Sequence, residues 1–335
     1  MSGADPPPHA RDRFGVVRYL TDDDVRLLLP PPQECVDLVT GALVALAEGR
    51  AEVPPKPAVH TLPGSFANAM PAAWPQRGLL GCKWISIFPD NPALGLPTAS
   101  GLMVVNDGHT GVPRAVLPAG ELTAARTAAV SGACVRALAP EATGPVAITG
   151  AGVQARSHLR VLDALGCHDV VLYARREQAR DDIAVWASAE VPAVRLRLVD
   201  SPAGAVTGAA VVITALSIGV EGALLDPAWV RDDALLLPLD YASSVGPDLV
   251  HGALLAADDV AAFETIRGQR KLGDYPSPSD WTGQVLQSGI AGCRPSGRVV
   301  CQNLGNGLSD LVVAEAVARR AEESGVGHPL VTAAT

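Results

Sequence analysis

Gly150, Gly152 and Ala155 stand in the run VAITGAGVQARSH (146–158) at the spacing Gly-x-Gly-x-x-Ala. Between a strand and a helix, such a turn seats a pyrophosphate on the helix N-terminus. The first glycine permits the tight turn, the second lets backbone approach the phosphates, and the small third residue lets helix and strand pack closely. The apolar run PVAITG before it and the helical run AGVQARSHLRVLDALG after it supply that context. Gly150, Gly152, Val153, Gln154 and Ala155 are therefore the expected dinucleotide contacts. The next strand, HDVVLYA, runs into Arg175 and Arg176, where an NAD enzyme commonly places Asp or Glu for the ribose hydroxyls. A carboxylate repels a 2′-phosphate, whereas guanidinium groups clamp it with charge-assisted bonds. The pair predicts NADPH, with NADH as the alternative cofactor; its plainer reading is a solvated helix start.

Holding such a turn requires a parallel sheet flanked by helices. The 335 residues are long enough for two domains. Hydrophobic residues make up 48% and aromatic ones only 4%, so the core must be built from Ala, Val and Leu, as in α/β proteins. After the glycine turn, REQARDDIAVWASAEV reads as a helix, AAVVITAL and DALLLPLDY as strands, and the alternation continues to about residue 300. Upstream, the pattern predicts a helix over 32–48 that stops at Gly49, and the prolines of EVPPKP bar its continuation. Short β-type runs follow at 82–87, 101–106 and 113–117, with DGHTG (107–111) as a hairpin turn. ELTAARTAAVSGACVRALA is an alanine-rich helix and PEATG a boundary. SDLVVAEAVARRAEESG closes the chain as an amphipathic helix with Ser309 at its N-cap, and the proline-rich start MSGADPPPHA reads as a frayed arm.

A net charge of −9 counts against phosphate-backbone binding, so no nucleic-acid partner is expected. No run reaches the roughly 18 apolar residues of a membrane span, and the start lacks the apolar stretch of a secretion signal. A soluble, cytoplasmic protein without a membrane partner is expected. Cysteines 35, 82, 134, 167, 293 and 301 form no C-x-x-C pair and have no histidines at ligand spacing. They read as reduced, mostly buried thiols, with no metal site.

The runs GCKWISIFPDNPALGLPTASGLMVVNDGHTGVPRAVL, LTAARTAAVSGACVRALA and ITGAGVQARSH, in that order, resemble the ornithine cyclodeaminase and mu-crystallin family from about residue 50 to 320. The resemblance implies a Rossmann-type dinucleotide-binding domain (139–304) inserted into an α+β substrate-binding and dimerisation domain. That domain would comprise residues 1–138 and a returning C-terminal helix (305–335), with the active site in the cleft between domains and a homodimer as the assembly. Lys83 and Arg126 match the family's substrate-carboxylate ligands, and Lys56 occupies a place where relatives often carry Arg. Three cations suit an anionic amino or imino acid. Lys83 is counted with the catalytic residues too, since an unpaired lysine is costly to bury. Read plainly, Lys56 is a solvated loop residue and Arg126 pairs with Glu121. Asp240 corresponds to the family's acid or base near the nicotinamide and could deliver a proton to a substrate nitrogen; its plainer reading is a turn former. Thr214 and Ser217 match the loop that approaches the cofactor.

Two departures bear on function. The family's cyclodeaminases follow that aspartate with a Pro-Gly-Lys-x-Glu type segment, where this chain has DYASSVGPD, and their Phe-Asp-Ser-x-Gly-x-Ala-x-Glu-Asp tail is replaced by CQNLGNGLSD. Only Gly305 and Asp310 are matched in that tail. The expected function is NADPH-dependent reduction of the C=N bond of an imino or ketimine acid, or oxidation of the corresponding amino acid. The alternatives are an NAD-dependent cyclodeaminase that releases ammonia from ornithine or lysine, and a non-catalytic protein of mu-crystallin type that holds NADPH and a small ligand. Residues 263–281, long and aromatic-bearing, are expected to be irregular and to shape substrate specificity.

Overall fold

The computed structural model describes residues 16–139, 144–216, 224–269 and 271–331. The expected N-terminal arm and most of the PEATG boundary lie outside them. The chain begins with β1 (Val16–Tyr19), α1 (Asp22–Leu28), α2 (Pro32–Ala47), β2 (Ala58–Val59), β3 (Phe66–Trp74), β4 (Leu79–Ile87), β5 (Ala99–Asp107) and β6 (Pro113–Pro118). It continues through α3 (Gly120–Leu138), β7 (Val146–Thr149), α4 (Val153–Ala164), β8 (Asp169–Tyr173), α5 (Glu177–Glu190), β9 (Arg195–Val199), α6 (Pro202–Val206) and β10 (Val211–Thr214). It ends with β11 (Leu235–Pro238), α7 (Pro247–Val250), β12 (Leu254–Ala257), α8 (Val260–Gly268), β13 (Asp280–Trp281), α9 (Thr282–Ile290), β14 (Val299–Gln302), α10 (Gly307–Ser324) and β15 (His328–Val331).

Contacts divide the chain into two compact units, one from residues 1–29, 51–122 and 310–335, the other from 30–50 and 123–309. These boundaries fall inside α3 and α10, whereas the sequence reading put them at 138/139 and 304/305. Helix α2 accounts for part of the difference. It packs on α4 and α9, where Gly283 lies directly on the Leu43 carbonyl and Gln287 donates to Glu48 at 2.7 Å.

The first unit is a seven-stranded sheet in the order β15-β1-β6-β5-β4-β3-β2. Strands β2 to β6 pair antiparallel in succession, and β1 lies parallel to β6. Strand β4 alternates as a sheet with one covered face must: Leu79, Gly81, Lys83 and Ile85 are buried and Trp84 is exposed. The expected turn at 107–111 is held by Asp107, whose Oδ1 accepts from the backbone of His109 and Thr110. The chain does not close on α10, because β15 follows it and pairs with β1. Nor is Ser309 the N-cap. Asn306 Oδ1 accepts from the Ser309 amide at 2.8 Å, which puts Ser309 in the first turn, buried.

The second unit is an eight-stranded, wholly parallel sheet in the order β13-β12-β14-β11-β10-β7-β8-β9. From β7 the chain builds outward through β8 and β9, then crosses back to β10, so the topological switch point lies between β7 and β10. Residues 263–281 are less irregular than expected. Their start belongs to α8, and Phe263 and Tyr275 are core side chains. Cys35, Cys134 and Cys301 are buried, Cys82 and Cys167 half-buried, and Cys293 exposed.

His158 ties α4 to α3. Its Nδ1 lies 2.7 Å from the Gln154 carbonyl and its Nε2 2.9 Å from the Ser131 hydroxyl. The neutral ring with its proton on Nδ1 satisfies both partners. Burial lowers its pKa from 6.5 to about 4. Between those values the unfolded chain binds a proton that the folded chain refuses, so stability falls with falling pH, by about 3 kcal/mol on reaching pH 4. Urea unfolding at neutral and acid pH measures this, and His158→Gln is expected to lose that part of the pH dependence.

Candidate functional site

The glycine turn has the backbone a dinucleotide requires. Gly150 has φ +108°, and a Cβ there would meet the Ala215 carbonyl at 2.5 Å. It therefore sits on the first residue past β10, at the switch point. Gly152 is the N-cap of α4, no side chain caps that helix, and the space where its Cβ would lie is open. The first amides of α4 thus face a gap at the positive end of the helix dipole. Ala155 is fully buried, as close helix–strand packing demands, while Val153 is exposed. Thr149 Oγ1 and Gln154 Oε1 are buried and lack hydrogen-bond partners among the described residues. Open space, uncapped amides and the unpartnered Thr149 hydroxyl fit a dinucleotide phosphate group. Arg175 and Arg176 lie exposed just past β8, and Arg180 braces their turn by donating to the Ala174 and Arg175 carbonyls at 2.6 and 3.3 Å.

Asp240 follows β11, at the carboxyl edge of the same sheet, and has no exposed surface. Its Oδ1 accepts from Thr214 Oγ1 at 2.7 Å, and its Oδ2 from Ser244 Oγ at 2.6 Å and the Leu216 amide at 3.2 Å. Burial raises its pKa above the ordinary aspartate value, and the three donors oppose that shift. The turn-forming reading also holds, since its carbonyl accepts from the Ser243 amide. Thr214, expected at the cofactor, thus turns its hydroxyl to Asp240. Ser217 lies outside the described residues.

Arg126 belongs to the same unit and is 5% exposed. Its guanidinium lies against Gly305, whose φ is +75° and where a Cβ would come within 2.7 Å of Nη2. Glu121 is not its partner, being paired with Arg26 at 3.1 Å. In the first unit, Lys83 is 1% exposed and its Nζ lies 2.7 Å from Asp310 Oδ2. Helix α10 brings that carboxylate over β4, with Leu311 against Gly81. Lys56 is half-buried in the extended segment before β2.

Several residues of this network were not singled out from sequence. Ser244 and Tyr275 bear on Asp240. Asp258, 1% exposed, accepts from the Leu304 amide at 2.8 Å and Asn306 Nδ2 at 3.3 Å, and so holds the altered tail. The amide-rich run Gln302-Asn303-Leu304-Gly305-Asn306 was the available signal.

The nodulation efficiency protein NfeD of Rhizobium meliloti is 32% identical over 322 residues, 93% of this chain and 97% of that protein. A Delta(1)-pyrroline-2-carboxylate reductase of Bacillus cereus is 32% identical over 149 residues, 42% of this chain and 45% of the reductase. The Delta(1)-pyrroline-2-carboxylate reductase of Thermococcus litoralis, solved with NADH and L-proline, matches with a TM-score of 0.83 at 22% identity, over 94% of this chain and all of that one. The doubly wound sheet and glycine turn are those of a dinucleotide-binding fold, which this chain shares with solved reductases. The chain belongs to the ornithine cyclodeaminase/mu-crystallin family, whose profile matches residues 20–324.

Removing one partner of a buried ion pair strands the other charge. Asp310→Ala is expected to lower the unfolding free energy by about 3–5 kcal/mol, and the paired change Lys83→Met with Asp310→Leu to recover most of that loss. Urea titrations of the single and double variants measure both.

Proposed function

We propose that this protein reduces the C=N bond of an imino or ketimine acid with NADPH, or oxidises the corresponding amino acid in reverse. The observation that carries the reading is Asp240: a buried carboxylate with a raised pKa, at the carboxyl edge of a parallel sheet and one strand from the switch point. Bound NADPH would supply the hydride. Asp240, protonated, gives its proton to the substrate nitrogen as the adjacent carbon is reduced, so the C=N bond becomes C–H and N–H. Lys83, Lys56 and Arg126 are each candidate ligands for a substrate carboxylate. The amides of Val153 and Gln154 hold the pyrophosphate, and Arg175 and Arg176 hold the 2′-phosphate. The Bacillus relative, named for reducing a cyclic imino acid, supports this substrate class.

The assembly we propose is a homodimer. Trp84 and Leu102, paired across β4 and β5 and 47% and 44% exposed, would be covered by a second copy. Sedimentation of the protein would give twice the chain mass; a monomer at micromolar concentration would contradict it.

Arg175→Ala with Arg176→Ala is expected to weaken NADPH binding about 10- to 100-fold and leave NADH binding nearly unchanged, as measured by fluorescence titration. Equal weakening of both cofactors would contradict the 2′-phosphate role. Asp240→Asn is expected to lower kcat by about 10²–10⁴ while NADPH still binds. Full turnover in that variant would sink the assignment.

A further inference from the structure

The segment 263–281 and the turn after Asp240 meet in a way the proposed reaction has not used. Asp240 is followed by Tyr241, which has φ 55° and is the one non-glycine residue at positive φ among those described. An aromatic residue in that region is strained and persists only where its surroundings hold it. The holding is visible on both sides of the turn. Leu224 and Leu225 donate their amides to the Ser243 and Ser244 carbonyls at 3.2 and 3.0 Å. From the other side the Tyr275 hydroxyl donates to the Val245 carbonyl at 2.5 Å. Tyr275 is 2% exposed and its ring packs against Phe263, itself fully buried, with centroids 6.4 Å apart. These two aromatics are core, not substrate-lining.

The fastened turn presents Ser244, whose hydroxyl reaches Asp240 Oδ2 at 2.6 Å. The carboxylate's other two donors are Thr214, the last residue of β10, and the amide of Leu216, two residues beyond it. Ser244 is thus the donor that belongs to the turn. We propose that Ser244 and Tyr275 are positioning residues for Asp240: Tyr275 pins the turn, and Ser244 aims and holds the carboxylate from it. The inference rests on Asp240 handling the substrate proton.

Asp240 is close enough to the phenol of Tyr275 to raise its pKa further, after burial. The adjacent Tyr241 is raised by burial and by Asp258. Both phenols stay neutral where an aspartate titrates, so the hydroxyl donors and burial set the Asp240 equilibrium. Removing a donor to the carboxylate disfavours its charged form. The acid then stays protonated to higher pH, and the reduction it serves falls off at higher pH.

The test follows Asp240 in cofactor-free protein labelled with ¹³C at aspartate carboxyls, alongside the pH profile of kcat/KM for imine reduction. Ser244→Ala is expected to raise the Asp240 titration by about one pH unit and to move the high-pH fall-off by the same amount. Tyr275→Phe keeps the ring, removes only the hydroxyl, and is expected to shift both in the same direction by less, with the NADPH dissociation constant unchanged. Folded variants in which Asp240 titrates at its original pH would overturn the inference. So would a carboxyl that moves while the fall-off stays. Failure of the underlying reading shows separately, as full turnover in Asp240→Asn.

Discussion

A carboxylate with no exposed surface must find in protein the hydrogen bonds it leaves in water, and at Asp240 that demand organises the carboxyl edge of the parallel sheet. Its acceptors bind together the end of β10, the second residue beyond it and the turn after β11. Strand β10 in turn lies against β7, and the Ala215 carbonyl fills the space that a side chain at position 150 would need. Asp240, after β11, and the glycine turn, after β7, are therefore built on strands that flank β10 in one sheet. Rigid strands hold such groups more accurately than loops can.

The two units meet the problem of buried charge in different ways. In the second, Asp240 is surrounded by neutral donors, which leave it free to change protonation state. In the first, Lys83 is matched by a carboxylate at 2.7 Å. The contrast suits the roles proposed: a proton donor needs a movable equilibrium near its working pH, whereas a ligand for a carboxylate needs a permanent charge. Arg126 has a permanent charge of its own, and Gly305 gives its guanidinium room by lacking a side chain.

The glycine turn, its strand and its helix were legible because their constraints are local: a positive φ, a helix start and a close packing contact within six residues. Strand β4 and helices α2 and α3 were legible for a similar reason, in their periodicity. The partners of the charged groups were not. Asp310 lies far along the chain from Lys83, and although it matched the family tail, nothing local said what it would touch. Helix α8 was missed because short apolar runs flanked by Asp and Arg give no clear period, and Ser309 lost the cap to Asn306, three residues earlier, which the pattern allowed equally well. Tyr275 lies in the segment 263–281, which was expected to shape specificity because it is long and aromatic-bearing. Only packing shows that it supports the Asp240 turn.

The most direct test of the central claim is to mix purified protein with NADPH and a panel of cyclic imino acids, 2-keto acids with amines, and ornithine, following nicotinamide absorbance and ammonia together. The account predicts loss of the reduced-cofactor signal with an imino acid and no ammonia from ornithine. Ammonia released from ornithine with the cofactor signal unchanged would contradict it and identify a cyclodeaminase.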